Sequence, residues 1–148
     1  MRSLILPAVL VGCLLTAGCQ QQASKAEGTE GISTTIIPHE ALPVKVAKPE
    51  EFAGLLADET DAQIVDVRTE GEYSSGHLAG SMNINIASPD FHGEVSKLDT
   101  ERKIYVYCAI GGRSARAAEM MANMGYEVVD MNGGITAWKS EGRETTTE

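Results

Sequence analysis

The sequence has few cysteines, few histidines and few aromatic residues, and these shortages exclude several classes of site. Its 148 residues include three cysteines and three histidines, and aromatic residues make up 5% of the chain. The histidines and cysteines are scattered, without the spacing of a metal site. We therefore expect no bound metal and no other cofactor.

Positive charge is also in short supply. Lysine and arginine together number 12 against 21 acidic residues, which gives a net charge of -9 at pH 7. This balance argues against nucleic acid and anionic lipid as general partners. It would also repel an anionic substrate at long range, so any such substrate must be captured by local positive groups.

A long uncharged stretch lies at the N-terminus, in "MRSLILPAVLVGCLLTAG", residues 1–18. One early arginine and small residues at the end are typical of a secretion signal, and the stretch is too short to span a membrane comfortably. "LTAGC" resembles the bacterial lipobox, which predicts Cys19 as the lipidated first residue of a lipoprotein. "LVGC" at Cys13 also fits but leaves a cramped apolar region. A plain cleavable signal peptide with an idle Cys19 is the alternative.

The lipid would hold the chain at the cell envelope. The resemblance to lipoproteins implies the periplasmic side, with the anchor as the point of contact with the membrane, and Gln20 favours the outer membrane in a Gram-negative cell. Residues 19–41 are polar and small, which predicts a flexible tether. Residues 42–148 are then long enough for one folded domain with a core, and we expect a monomer.

Within that domain, short apolar runs alternate with helical patterns. Strands are predicted over residues 44–46, 62–67, 81–86, 103–108 and 126–131, and helices over residues 48–58, 69–76, 89–98, 113–125 and 133–142. Strands separated by helices indicate an α/β fold, a small, open and mostly parallel sheet with helices on both faces. Ligands of such sheets bind beyond the carboxyl ends of the strands. Asp66, Arg68 and Cys108 all lie at the carboxyl ends of predicted strands.

Cys108 is a lone thiol, because Cys13 is lost with the signal and Cys19 is acylated on this interpretation. It opens the loop "CAIGGR", in which Gly111 and Gly112 allow positive φ, so that backbone N–H groups can converge on one point. The start of the next helix and Arg113 add positive potential there. Such an anion cradle favours thiolate, since an ordinary cysteine with a pKa of about 8.5 is mostly un-ionised at neutral pH. No histidine flanks Cys108, so the loop itself must activate the thiol.

Three motifs together carry a family resemblance. Along the chain they are "IVDVRTEGEYSSGHLAGSMNIN", "CAIGGRSA" and "NGGITAWKSEG". In this order they resemble single-domain rhodaneses, the thiosulfate:acceptor sulfurtransferases, over about residues 42–142. The resemblance implies a rhodanese-like fold and a persulfide relay. Cys108 would take a sulfane sulfur from thiosulfate or a similar anion and pass it to a thiol or to cyanide.

The resemblance also assigns roles to neighbouring residues. Arg113 and the backbone of the loop would bind the anion, the loop residues being Ala109, Ile110, Gly111 and Gly112. Asp66 and Arg68 match positions that organise the edge of the site, although they could equally form a structural ion pair. His77 is interpreted as structural.

Two other function classes stay open. A membrane-tethered sulfur carrier or redox binding module could use Cys108 without turning over thiosulfate. Cysteine phosphatases and arsenate reductases also hold an oxyanion under a thiolate, but they use Cys-x5-Arg, whereas four residues separate Cys108 from Arg113 here. The shorter loop suits one extra sulfur atom better than a tetrahedral phosphate.

Overall fold

A computed structural model describes residues 41–148. The predicted signal peptide, the lipid site Cys19 and the tether up to residue 40 lie outside the described residues. The strands are β1 (Lys45–Ala47), β2 (Gln63–Asp66), β3 (Ser81–Asn83), β4 (Ile104–Tyr107) and β5 (Val128–Met131). The helices are α1 (Pro49–Asp58), α2 (Glu70–Ser74), α3 (Phe91–Val95), α4 (Gly112–Asn123) and α5 (Gly134–Ser140).

Within residues 41–148 the strands form one five-stranded sheet in the order β1-β5-β4-β2-β3, and every pairing is parallel. Each parallel connection carries a helix across a face of the sheet, so the predicted α/β fold is confirmed. The strand β4 lies at the centre, with all four of its residues buried. The loop that follows β4 therefore emerges at the middle of the carboxyl edge.

Two hydrophobic clusters cover the two faces of the sheet. On one face, α3 and α4 pack against Val106 and its neighbours through Val95, Ala118 and Met121. On the other face, α1 and α5 contribute Phe52 and Ile135. No helix of the described part of the chain is long and apolar enough to cross a bilayer.

Four predicted strands are shorter in the structure than their apolar patterns, and two of them lose more than one residue at one end. The strand predicted over residues 81–86 ends at Asn83. Beyond it, the amides of Ile84 and Ile86 still bond to the carbonyls of Asp66 and Val67, but these bonds lie outside the regular pairing of β3 with β2. The strand predicted over residues 126–131 begins only at Val128.

The late start of β5 follows from the way α4 ends. Gly125 has a φ of 94°. The amides of Gly125 and Tyr126 bond to the carbonyls of Ala122 and Met121, which is the Schellman pattern. The Tyr126 hydroxyl then donates to the Val95 carbonyl at 2.8 Å, which ties this turn to α3. Tyr126 therefore closes α4 instead of starting β5.

Candidate active site

Cys108 is the first residue after the central strand β4 and is almost fully buried, with 1% of its surface exposed. Its thiol is free. The next residues rise toward solvent, and Ile110 at the tip of the loop is 73% exposed. The sulfur thus lies at the floor of a shallow loop, and a substrate must approach it from the carboxyl edge of the sheet.

The surroundings of Cys108 favour the thiolate. Burial raises the pKa of the thiol, but hydrogen bonding from the Ser114 hydroxyl and from the amides of Ser114, Gly111 and Ile110 outweighs burial and brings the pKa below its ordinary value. The Gly111 amide donates to the sulfur at 3.1 Å. These donors hold a negative charge at the sulfur without any histidine.

Gly111 makes this arrangement possible. It precedes α4 with a φ of 105°, a left-handed conformation that other residues adopt only with strain. A side chain there would also bring its Cβ to 3.2 Å from the Gly133 amide nitrogen. Glycine at position 111 therefore lets its own amide turn toward Cys108 while the loop stays close to the start of α5.

The start of α5 packs against the Cys108 loop and donates hydrogen bonds to it. The Ile135 amide donates to the Cys108 carbonyl at 2.9 Å, and the Thr136 amide donates to the Ala109 carbonyl at 3.0 Å. Gly134 has a φ of 57°, and a Cβ there would lie 2.4 Å from the Cys108 carbonyl oxygen. The "NGGITAW" segment is thus the support on which the Cys108 loop rests.

Arg113 is held by an acidic partner that the sequence did not reveal. Its guanidinium donates to both carboxylate oxygens of Glu72, at 2.8 Å and 2.6 Å. The Arg113 contact lowers the pKa of Glu72 to about 2, so the pair is intact at neutral pH. Hydrogen bonding to Glu72, and less strongly the negative charge of Cys108, raise the pKa of Arg113. Arg113 therefore lies within electrostatic reach of the sulfur, with part of its charge engaged by Glu72.

Asp66 and Arg68 form a buried ion pair beside β4. The Arg68 guanidinium donates to both carboxylate oxygens of Asp66, at 2.9 Å and 2.6 Å, and to the Gly76 carbonyl at 2.8 Å. The two side chains are 0% and 5% exposed. These contacts join the end of β2 to the segment after α2, and a role of the pair at the edge of the site stays a prediction.

Of the predicted anion donors, the structure brings Gly111 and Ile110 to the sulfur. The roles of Ala109, Gly112 and Arg113 toward a bound anion stay predictions. His77 is buried, with its ring nitrogens near the carbonyls of Tyr73 and Glu148 at 3.0 Å each. Among residues 41–148 no group of three or more metal-ligating side chains is close enough to hold a metal.

Sequence reasoning missed Ser114 and Glu72. Ser114 directly follows the arginine of the loop, so a rule that considers hydroxyl donors in the first turn of the helix would have found it. Glu72 stands three residues after Thr69, and both capping-box contacts between them are present. That spacing predicts the cap but not the Arg113 contact, which depends on how α2 lies across the loop.

Known proteins share this domain. A model of the rhodanese-like domain family matches residues 48–141. A protein named sulfurtransferase from Allochromatium vinosum is 30% identical over 94 residues, which cover 63% of this chain and 86% of the relative. The thiosulfate sulfurtransferase GlpE of Shewanella oneidensis is 29% identical over 84 residues, 56% of this chain and 81% of the relative.

The structural comparison agrees with the sequence comparison. The crystal structure of a rhodanese-related protein from Thermoplasma volcanium superposes with a TM-score of 0.63 at 30% identity. The match covers 70% of this chain and 99% of that protein.

Proposed function

We propose that this chain, which belongs to the rhodanese-like domain family, moves a sulfane sulfur from thiosulfate or a similar anion to a thiophilic acceptor through a persulfide on Cys108. The observation that carries the proposal is the position of the Cys108 sulfur. It lies at the carboxyl end of the central strand, beneath amides that lower the pKa of its thiol.

The reaction divides into two displacements at sulfur. The Cys108 thiolate attacks the outer sulfur of thiosulfate, the sulfur–sulfur bond of the donor breaks, and sulfite leaves with the electron pair. The terminal sulfur of the resulting persulfide is a further acceptor for the loop amides. A thiol or cyanide then attacks that terminal sulfur, and Cys108 leaves as thiolate. No external oxidant or reductant is required.

A sulfur carrier without thiosulfate turnover would form the same persulfide from another donor. The two functions differ in steady state, because only the sulfurtransferase produces thiocyanate continuously from thiosulfate and cyanide. We expect many thiocyanates per Cys108. A single stoichiometric burst of thiocyanate would favour the carrier.

Replacing Arg113 by alanine should lower kcat/KM for thiosulfate by about 10- to 150-fold, because a charge-assisted contact contributes about 1.5–3 kcal/mol. The variant also leaves Glu72 without its cation, so the pKa of the Cys108 thiol should rise. Steady-state rates at several thiosulfate concentrations, together with iodoacetamide alkylation rates against pH, measure both effects.

Arg116→Ala is the matched control for this variant. Arg116 is also an arginine of α4 and is exposed, so the replacement removes the same charge one turn further along the helix. We expect a change below about twofold, because exposed charges are largely screened by salt. Equal losses in the two variants would show that net charge, and not contact with Arg113, governs the capture of thiosulfate.

We also propose that Cys19 carries the lipid that holds the domain on the periplasmic side of the cell envelope, at the outer membrane in a Gram-negative cell. In cells, Cys19→Ala should no longer incorporate labelled fatty acid, because the thiol that would carry the acyl chains is lost. Thiosulfate turnover per molecule should stay unchanged, since the anchor precedes the domain. A Cys19→Ala protein that still incorporates fatty acid would contradict this anchor.

A further inference from the structure

A buried carboxyl group lies on the Cys108 face of the sheet. Asp130 in β5 is 3% exposed. It is paired in register with Val106 of β4, and it alternates with Val129, whose side chain belongs to the cluster on the opposite face. Because side chains two residues apart share a face, Asp130 points to the same side as Val106 and Cys108, beneath α4.

One oxygen of this carboxyl has no partner. Among the described residues, Oδ1 of Asp130 is buried without any hydrogen bond. A buried carboxylate with an unpaired oxygen is strongly disfavoured, whereas a protonated carboxyl is neutral and becomes a donor. The group therefore calls for an explanation that the ion pairs of the site do not provide.

Ser114 connects Asp130 to the thiol. It is fully buried in the first turn of α4. Hydrogen bonding from its hydroxyl lowers the pKa of the Cys108 thiol and also lowers the pKa of the Asp130 carboxyl, so the hydroxyl favours the ionised form of each. In the structure the hydroxyl donates to the Gly111 carbonyl at 3.0 Å. The Ser114 hydroxyl therefore has one acceptor in the structure, the Gly111 carbonyl, and two further groups, Asp130 and Cys108, whose ionised forms it favours.

The Ser114 proton is free to change partner. The Gly111 carbonyl also accepts from the Ala115 amide at 3.0 Å, so it keeps a hydrogen bond if the hydroxyl turns away. A carboxylate at Asp130 would compete with the thiolate for that proton. A protonated Asp130 could instead donate to the Ser114 oxygen and leave the hydroxyl proton to the sulfur.

The surroundings of Asp130 favour the protonated form. Burial raises the pKa of Asp130, and the contact with Ser114 only partly opposes it. Neighbouring strands place Val46 and Val106 beside it. Two cations on the elements packed around Asp130 are already paired, Lys45 with Glu51 and Arg113 with Glu72. The other charged or titratable groups there are the exposed Arg116 and Glu119, and Cys108. Cys108 becomes negative in the reaction, which further disfavours a second negative charge.

We propose that Asp130 is a positioning residue that stays a neutral acid and donates to the Ser114 oxygen, so that the Ser114 hydroxyl turns its proton to the Cys108 thiolate. The inference deepens the proposed function and rests on it only in taking Cys108 as the nucleophile. When the Cys108 thiol ionises, its proton leaves to solvent and Asp130 keeps its own proton, so protons and charges balance.

The test compares Asp130→Asn, Asp130→Ala and Ser114→Ala in the full chain by iodoacetamide alkylation of Cys108 against pH. Asparagine has nearly the shape of a neutral carboxylic acid and can still donate, so we expect its alkylation curve within about twofold of the natural protein. Asp130→Ala and Ser114→Ala should alkylate about 3- to 10-fold more slowly below the thiol pKa, since a hydrogen bond to the thiolate is weakened. The double variant should be no slower than Ser114→Ala alone.

Other results would overturn the proposal. Faster alkylation in both Asp130→Asn and Asp130→Ala would mean that Asp130 is an ionised carboxylate that opposes the thiolate. An unchanged curve in Asp130→Ala would mean that Asp130 does not act on the thiol. Should the alanine variant fail to fold, infrared spectroscopy decides: the natural protein must show a protonated carboxyl band, absent in Asp130→Asn, at the pH where Cys108 is half ionised. Absence of that band contradicts the proposal.

The proposed function can fail separately. Alkylation requires no sulfur donor, so the expected pattern could occur in a protein that forms no persulfide. Thiosulfate turnover without any effect of Asp130 on alkylation would instead sink only the role of Asp130.

Discussion

Cys108→Ser is expected to reduce thiocyanate formation from thiosulfate and cyanide to the uncatalysed background, a loss on the order of 10³-fold or more. A serine hydroxyl has no accessible anion near neutral pH and cannot form the persulfide. The fold should survive, because serine is slightly smaller than cysteine and the Gly111 amide that donates to the sulfur can donate to a hydroxyl oxygen.

The stability of the Cys108→Ser variant is the control for this loss. Its urea unfolding midpoint should lie close to that of the natural protein, which separates missing chemistry from missing structure. Appreciable thiocyanate formation by the folded variant would contradict a Cys108 persulfide.

Gly134→Ala should damage both stability and the site. The new Cβ would lie 2.4 Å from the Cys108 carbonyl oxygen and 2.7 Å from the Ala109 carbonyl group, at a φ of 57°. Backbone strain of about 1–2 kcal/mol and overpacking of about 1–3 kcal/mol add to an expected loss of roughly 2–5 kcal/mol in the free energy of unfolding. Relief of the clash must move the Cys108 loop, so alkylation of the thiol should slow as well.

Gly80→Ala separates these two causes. Gly80 has a φ of 75°, but a Cβ there would have nothing within 4 Å. This variant therefore carries the backbone strain without the clash, and it should lose about 1–2 kcal/mol while Cys108 reacts as before. If Gly134→Ala costs no more stability than Gly80→Ala and leaves the alkylation rate unchanged, α5 does not support the loop.

Local chemistry in the sequence was sufficient to predict much of the fold. The alternation of apolar runs and helical patterns predicts the parallel sheet, and Gly125 predicts the end of α4. Strand length was less predictable, because hydrophobicity continues where regular pairing stops. Ile84 and Tyr126 are apolar and buried, yet one follows β3 and the other closes a helix.

In the site too, features formed by neighbouring residues could be predicted, and contacts between distant residues could not. Cys108 and the glycine turn are contiguous in sequence, so their chemistry could be interpreted together. The Arg113–Glu72 pair joins residues 41 positions apart. Asp130 lies on the Cys108 face of the sheet because β5 pairs with β4 in a register that sets Asp130 beside Val106. The register between β4 and β5 cannot be predicted from a local sequence pattern.

The most direct test of the persulfide is the mass of the peptide that contains Cys108 after the protein is incubated with thiosulfate and separated from it. We expect a gain of one sulfur atom on Cys108, which disappears on addition of cyanide as an equal amount of thiocyanate forms. Thiocyanate production with no added sulfur on Cys108, or with the sulfur retained by the Cys108→Ser protein, would contradict it.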